Sequence, residues 1–415
     1  MIPVVFVNSE KALWRIGGRT VMDRILELLS REGHPAYAVV CNDEIFDSVA
    51  SELRSMSRQS RALKASSWIE ELPGDQELLL LVDGEVVYDP RLIHLAIKWT
   101  VPTILVDSNP RVSQPGRPSF DGKAFVGLLA VRPPDASQMG GNDSSRDFPD
   151  YLETFRGDVV DVDALPSYSV PHRRGILHYW VQVTGQPDVK IAKKLLVDAG
   201  GKGHQELAVL IFNRPVETFL SYYFSDWRIT PNQITVVGTL IGCGATICFA
   251  LGYFWWGILI ALAAEVLDGL DGRQARIQIK TSKLGEYEHV LDKIVEISWM
   301  IALGWFFSDG FSDELYLWAT LGWILFHNLD NLSYSVFRAK RGIVIDEASK
   351  LDAAIRLFAS NRNNNILFLL VGLAIGFPLE AYWFIMAWSV LTPVVHWIRL
   401  VILLNRPADT AHPAN

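Results

Sequence analysis

Four carboxylates in the second half of this 415-residue chain are spaced in a way that suits chemistry. Asp268 and Asp271 lie in the stretch DGLDGRQAR (268–276), directly after the apolar run YFWWGILIALAAEVL (253–267). On a helix Asp268, Asp271 and Ala275 fall at i, i+3 and i+7 and share one face. Glu288 and Asp292, at i and i+4, share a face at the start of the next apolar segment. Two antiparallel helices would aim all four acids at one point, where they repel each other unless a cation neutralises them. Ligation by oxygen alone, without His or Cys, suits Mg²⁺ or Mn²⁺, and such an ion bridges to substrate phosphates. Arg276 offers a planar fork for phosphate oxygens. Gly272 lets a ligand approach the backbone, and Ala275 keeps the face small. A helix end with solvated charges is the plainer alternative. It accounts for Arg273 and Lys280 but poorly for four acids on two facing helices.

The elements that would position these acids are membrane spans. A helix needs roughly 20 apolar residues to cross a bilayer, and six segments are candidates: about 233–251, 253–271, 291–308, 315–337, 364–381 and 382–404, the second and third being short or interrupted by acids and ranking lower on hydropathy alone. The loops near 251–256, 308–314 and 377–382 have no Lys or Arg. The loop 272–290 has Arg273, Arg276, Lys280 and Lys283, and the loop 338–362 has Arg338, Lys340, Arg341, Lys350, Arg356 and Arg362. Basic loops stay in the cytoplasm, so both termini and the acidic constellation are expected to face it, in a protein of the cell membrane. The expected partners therefore include the lipid bilayer. The net charge of −8 argues against a nucleic-acid partner. Cys41, Cys243 and Cys248 form neither a disulfide framework nor a zinc pattern. No signal peptide is evident in MIPVVFVNSE.

The run from Asp268, D-x2-D-G-x2-A-R-x8-G ending at Gly285, resembles the signature of the CDP-alcohol phosphotransferases, D-x2-D-G-x2-A-R-x8-G-x3-D-x3-D. RITPNQIT (228–235) is similar to the segment leading into that family's first span. The resemblance covers about 205–405 and implies a six-span domain with a cytoplasmic site, a CDP-alcohol donor, a hydroxyl acceptor, two Mg²⁺ or Mn²⁺ ions and a homodimer. It implies Asp268, Asp271, Glu288 and Asp292 as metal ligands and Asp292 also as general base. Asp268, Gly272, Ala275, Arg276 and Gly285 would line the nucleotide pocket. The sequence departs from the signature at the third acid: His289 stands in the family's register and Glu288 comes one residue early. A residue lost in the preceding loop would keep Glu288 and Asp292 on one face.

The fourth span carries His327, Asp330 and Asn331 at i, i+3 and i+4. This face either lines an acceptor pocket or makes interhelical hydrogen bonds. Arg338, Lys340 and Arg341 would bind an acceptor phosphate or serve as an ordinary cytoplasmic anchor.

Residues 1–133 alternate strands (3–7, 36–40, 77–83, 103–107, 123–131) with helices (19–32, 44–55, 90–99). Such alternation predicts an α/β domain with a mostly parallel sheet. The stretch 134–150 reads as a loop. IGGRTVMDRILELLSREG (16–33) and LLLLVDGEVVYDPRLI (78–93) resemble sugar-nucleotide transferases, a pairing also found in fused proteins that make CDP-inositol and then use it. Asp83 keeps the metal-ligand region of that fold. Strand one, however, runs into VNSEKALWRIGG, without the glycine-rich basic loop that cradles a triphosphate. The expected organisation is a degenerate nucleotidyltransferase-like domain (1–195), a linker with an interfacial helix (196–232), the six-span domain (233–405) and a cytoplasmic tail (406–415). Rival readings are a bifunctional enzyme whose soluble half makes the CDP-alcohol, a transporter, and a membrane scaffold.

Overall fold

The computed structural model describes residues 1–56, 60–72, 78–133, 152, 155–169, 172–203, 206–227, 229–280 and 283–406, without the side chains of 283–289. The loop expected at 134–150 lies outside the described residues. The chain forms two units. One comprises Met1–Tyr168, Ile176–Ala199 and Ser225–Trp227; the other comprises Ser169–Gly175, Gly200–Phe224 and Arg228–Asn415.

The first unit is built on an eight-stranded sheet. Its strands are β1 (Ile2–Val7), β2 (Ala38–Cys41), β3 (Arg61–Lys64), β4 (Leu79–Asp83), β5 (Thr103–Asp107), β6 (Lys123–Val131) and β7 (Asp158–Asp161), with the short Ser119–Phe120 paired to β6. Their spatial order is β7-β5-β6-β4-β1-β2-β3. β1 runs parallel to β2 and β4, β2 to β3, and β5 to β7; β6 is antiparallel to both its neighbours. The mostly parallel sheet is as expected. Continuous apolar runs such as LLLVD in β4 suit it, because helices cover both faces of a parallel sheet. Val4, Leu81, Ile104, Phe125 and Leu129 form the centre of its core with Trp68. Helices α1 (Val21–Arg31), α2 (Phe46–Ser55), α3 (Pro90–Ala96) and α4 (Gln186–Ala199) complete the unit. α1 starts at 21, later than the expected 19, because Arg15–Ile16 and Arg19–Thr20 pair as a hairpin across Gly17 and Gly18. Both glycines have positive φ, +60° and +81°, as a two-residue hairpin turn requires. Thr20 then caps α1 by accepting from Asp23 N.

The second unit is helical: α5 (Arg214–Phe224), α6 (Pro231–Ala250), α7 (Phe254–Gln278), α8 (Lys283–Phe307), α9 (Glu314–Arg341), α10 (Lys350–Phe358), α11 (Arg362–Ala374) and α12 (Pro378–Leu404). Among the described residues two helices, α6 and α12, are long and apolar enough to cross a membrane, each with a mean hydropathy of 1.7. Acidic residues interrupt the apolar stretches of α7 and α8, and α11 has 13 residues. The core gathers Phe249, Ile258, Trp299, Trp323, Tyr382 and Ile385, while Leu240, Trp256, Leu259 and Ile398 point outward. α6 opens with a capping box between Thr230 and Gln233 and has Pro231 in its first turn.

Several boundaries differ from expectation: α8 begins at Lys283 where 291 was expected, and α9 runs on to Arg341 past the expected 337. α7 continues through Gln278 and stops on Ile279, which adopts a left-handed conformation at φ +49°. DGLDGRQAR is therefore wholly helical, as the shared face of Asp268, Asp271 and Ala275 requires, and the expected loop 272–290 is shorter. The last two helices divide near 376 instead of 381, because Gly376 takes φ +85° and Pro378 opens α12.

Candidate active site

α7 brings Asp268, Asp271, Gly272, Ala275 and Arg276 onto successive turns. Asp271 is buried, and its Oδ2 accepts from Thr235 Oγ1 on α6 at 2.5 Å. Asp268 pairs with Arg362 at the start of α11, and Arg362 Nη1 also lies 3.6 Å from Asp292 Oδ1 on α8. One guanidinium thus joins acids from two helices. Asp268, Asp271 and Asp292 line one cavity of about 20 Å³, together with Thr235, Trp299 and Arg362. Three of the four expected acids are therefore brought together. Glu288 and Gly285 lie in the first turns of α8, where the side chains are outside the described residues.

A second cavity of about 180 Å³ adjoins the first through Asp268 and Asp292 and reaches Lys202, Glu217, Gly272 and Arg276. Arg276 Nε donates to Gly200 O at 2.7 Å, and its guanidinium lies over Gly272, where a Cβ would meet Nη1 at 3.3 Å. Ala275 sits on the same helix at intermediate exposure. Gly269 faces Glu217: a Cβ there would lie 2.1 Å from Glu217 Oε1. Arg273 is not a solvated loop cation. It is 3% exposed, donates to Thr218 Oγ1 at 2.6 Å and lies 3.4 Å from Glu217 Oε2. Burial raises the Glu217 carboxyl above its usual range, and Arg273 opposes that shift.

Sequence reasoning missed several residues here. Arg362 was counted only as a basic loop residue, yet it is the cation on which Asp268 and Asp292 converge. Glu265, one turn before Asp268 and fully buried, lines the larger cavity and accepts from Asn213 Nδ2 at 3.5 Å. Its position at i−3 from Asp268 was the available signal.

The residues of the fourth span go elsewhere. Asp330 is buried, and its Oδ1 is 2.6 Å from His396 Nδ1 on α12. His327 stacks on Trp323 and lies 3.4 Å from Glu296 on α8. Asn331 donates to His327 O at 3.0 Å. Of the two readings of this face, interhelical bonding describes Asp330 and His327. Arg341 Nη2 donates to the carbonyls of Leu403 and Leu404 at the end of α12, and Arg338 is exposed.

Among the described residues, no three acidic, histidine or cysteine side chains are gathered as a metal centre. The donor set still fits a hard divalent ion: three carboxylates from two helices border one small cavity, and among the described residues no histidine or cysteine lines it.

In the first unit, Asp83 has a different surrounding. Its Oδ2 pairs with Arg117 Nη1 at 2.7 Å. Arg117 Nε donates to Phe125 O at 2.7 Å, and the guanidinium lies 5.5 Å and 5.6 Å from the ring centres of Phe125 and Trp180. After β1 the chain makes a short 3₁₀ turn (Glu10–Leu13) capped by Ser9.

The chain is similar to known proteins over parts of its length. The chain is 30% identical over 204 residues to a bifunctional IPC transferase and DIPP synthase of Aquifex aeolicus, covering 48% of this chain and 45% of that one. The protein of the same name in Thermococcus kodakarensis is 32% identical over 209 residues, covering 47% and 45%. The chain thus spans under half the length of these curated relatives. A solved phosphatidylinositol phosphate synthase of Mycobacterium tuberculosis with CDP-DAG bound aligns at 19% identity and a TM-score of 0.37, over 47% of this chain and 99% of that one. Residues 228–404 match the model of the CDP-alcohol phosphatidyltransferase family, and the chain carries a domain of that family at its C-terminal end.

Proposed function

We propose that the helical unit transfers a phosphoalcohol or phosphatidyl group from a CDP-linked donor to a hydroxyl acceptor and releases CMP. The observation that carries this reading is the convergence of Asp268, Asp271 and Asp292 on one cavity beside a larger one lined by Arg276. In the reaction, the acceptor oxygen bonds to the phosphorus that bears the donor alcohol. The bond from that phosphorus to the CMP oxygen breaks, and the acceptor proton passes to Asp292. Asp268, Asp271 and Asp292, with Glu288, would hold two Mg²⁺ or Mn²⁺ ions. Such ions neutralise the pyrophosphate and the charge developing on CMP. Gly272 and Ala275 leave room for the nucleotide, and Arg276 orients phosphate oxygens.

In this reading the six helices α6, α7, α8, α9, α11 and α12 cross the cell membrane in a homodimer. The basic residues at the ends of α7 and α9 support a site on the cytoplasmic side. Residues 1–195 form a nucleotidyltransferase-like domain without cytidylyltransferase activity. The Arg117 pair at Asp83 and the Ser9-capped turn in place of a phosphate loop support that part. The name of another similar protein, an archaetidylinositol phosphate synthase of Pyrococcus horikoshii, favours inositol-type substrates.

The test is CMP release by the full chain over a panel that includes CDP-diacylglycerol with polar alcohols and CDP-inositol with inositol phosphate, with and without Mg²⁺. Mg²⁺-dependent CMP release from at least one pair is expected. Silence across the panel would defeat the reading. Incubation with CTP and inositol phosphate should release no pyrophosphate; release would revive the bifunctional alternative.

A further inference from the structure

We propose that Arg362 is a resident counter-cation that occupies the acidic centre and is displaced from Asp268 and Asp292 when a divalent ion enters. The inference rests on the metal-site reading above and deepens it. Arg362 reaches Asp268 with Nη2 and Asp292 with Nη1, so a single side chain neutralises acids from α7 and α8. It lines the same cavity of about 20 Å³ as those acids and Asp271. A cavity of that size holds about one water-sized occupant, and a guanidinium beside a divalent ion would be repelled by it.

The position of Arg362 on its own helix supports the same conclusion. It is the first residue of α11, where the unpaired N–H groups form the positive end of the helix dipole. A cation there is disfavoured by its own helix, so the two carboxylates hold it in place. Asn361, not Arg362, caps α11, accepting from Asn364 N at 3.0 Å. The side chain can therefore leave the acids without uncapping the helix. It also has an exit: Asp268 and Asp292 border the larger cavity, and their side chains are 29% and 27% exposed. Asp271 is held separately by Thr235, so it remains in place as a ligand whichever cation is present.

The model makes metal binding an exchange of one cation for another, with Arg362 opposing entry. The experiment is Mn²⁺ titration of the purified full chain in detergent, followed by the loss of the free Mn²⁺ electron paramagnetic resonance signal, for wild type, Arg362→Gln and Arg362→Lys. Removing a charge that close to two carboxylates should tighten Mn²⁺ binding by about tenfold or more. Arg362→Lys, which keeps the charge but loses the fork, should fall between wild type and Arg362→Gln. Metal-free Arg362→Gln should also melt at a lower temperature than wild type and recover with Mn²⁺. Equal or weaker binding in Arg362→Gln would overturn the inference while leaving the metal site standing. No Mn²⁺ binding by any of the three proteins would overturn the metal-site reading itself. If Arg362→Gln fails to fold, Arg362→Lys alone decides, since binding no tighter than wild type defeats the exchange.

Discussion

Asp83 in the α/β unit and Asp268 in the helical unit each meet an arginine, but the two guanidiniums are held differently. Arg117 is held by groups of different kinds: Asp83 takes Nη1, the Phe125 carbonyl takes Nε, and the rings of Phe125 and Trp180 lie against the guanidinium, whose Nη2 is buried without a hydrogen bond. Its side chain is 4% exposed. Among the described residues Arg362 is held by carboxylates alone, at the end of a helix that repels it, beside a cavity. The same ion-pair chemistry therefore closes one site and leaves the other exchangeable. What decides is the aromatic and backbone surroundings of the cation, not the carboxylate.

The largest effect that would break this comparison is at the exchangeable site. Asp268→Asn or Asp271→Asn should lower CMP release by roughly 10²–10³-fold, the scale expected when a preorganised charge is lost. The protein should still elute as a folded species in size-exclusion chromatography. Near-normal turnover in both variants would remove the distinction between the sites.

The register of α8 sharpens the helical side of the comparison. Glu288→Gln and Asp292→Asn should each lose roughly 10²-fold or more in CMP release, as loss of a general base or a ligand does. His289→Gln and Lys293→Gln should keep substantial activity. A one-residue shift turns a helix by about 100°, so the opposite pattern would place His289 and Lys293 on the face of the site.

The closed site should answer in stability, not in CMP release. Arg117→Met leaves Asp83 without its partner and should cost about 3 kcal/mol, the scale for breaking a buried pair by removing one member. Urea denaturation followed by Trp fluorescence would measure it, and Asp83→Asn combined with Arg117→Met should recover part of the loss. An unchanged midpoint would show that the clamp contributes nothing.

The smallest effect is a reactivity. Burial in β2 pushes the Cys41 thiol up to about 11. At pH 8 that leaves about 0.1% as thiolate, so alkylation of Cys41 by iodoacetamide should be far slower in the folded protein than after unfolding in urea, with Cys243 on the outward face of α6 as an internal reference. Mass spectrometry of peptides would follow both. Faster labelling of Cys41 in Arg117→Met, with Cys243 unchanged, would assign the clamp's effect to the α/β unit.

The sequence exposed what repeats locally. The i, i+3 and i, i+4 acids and the apolar runs of β1, β4, β5 and β6 are short-range patterns, and these elements lie where they were expected. β3 and β7 were missed because RALK and DVVD are polar edge strands without a continuous apolar run. Arg362 was missed for a different reason: its partner Asp268 is 94 residues away, and nothing near Arg362 separates it from the other cations of its loop. Arg273 was misread for a similar reason, since a buried pair with Glu217, 56 residues away, has no local signature.

The shortness of α11 bears on the bilayer. Its 13 residues rise about 20 Å, against a hydrocarbon core of about 30 Å. In a six-span arrangement, α11 cannot match that thickness, and the difference is met by locally thinned lipid or by a polar cleft at the Arg362 end. Asn363, which follows Arg362 in the first turn, lines the larger cavity and is a residue such a wet cleft would accommodate. A helix too short for its membrane would thus give a water-soluble alcohol a route to a reaction at a lipid surface, without a moving gate.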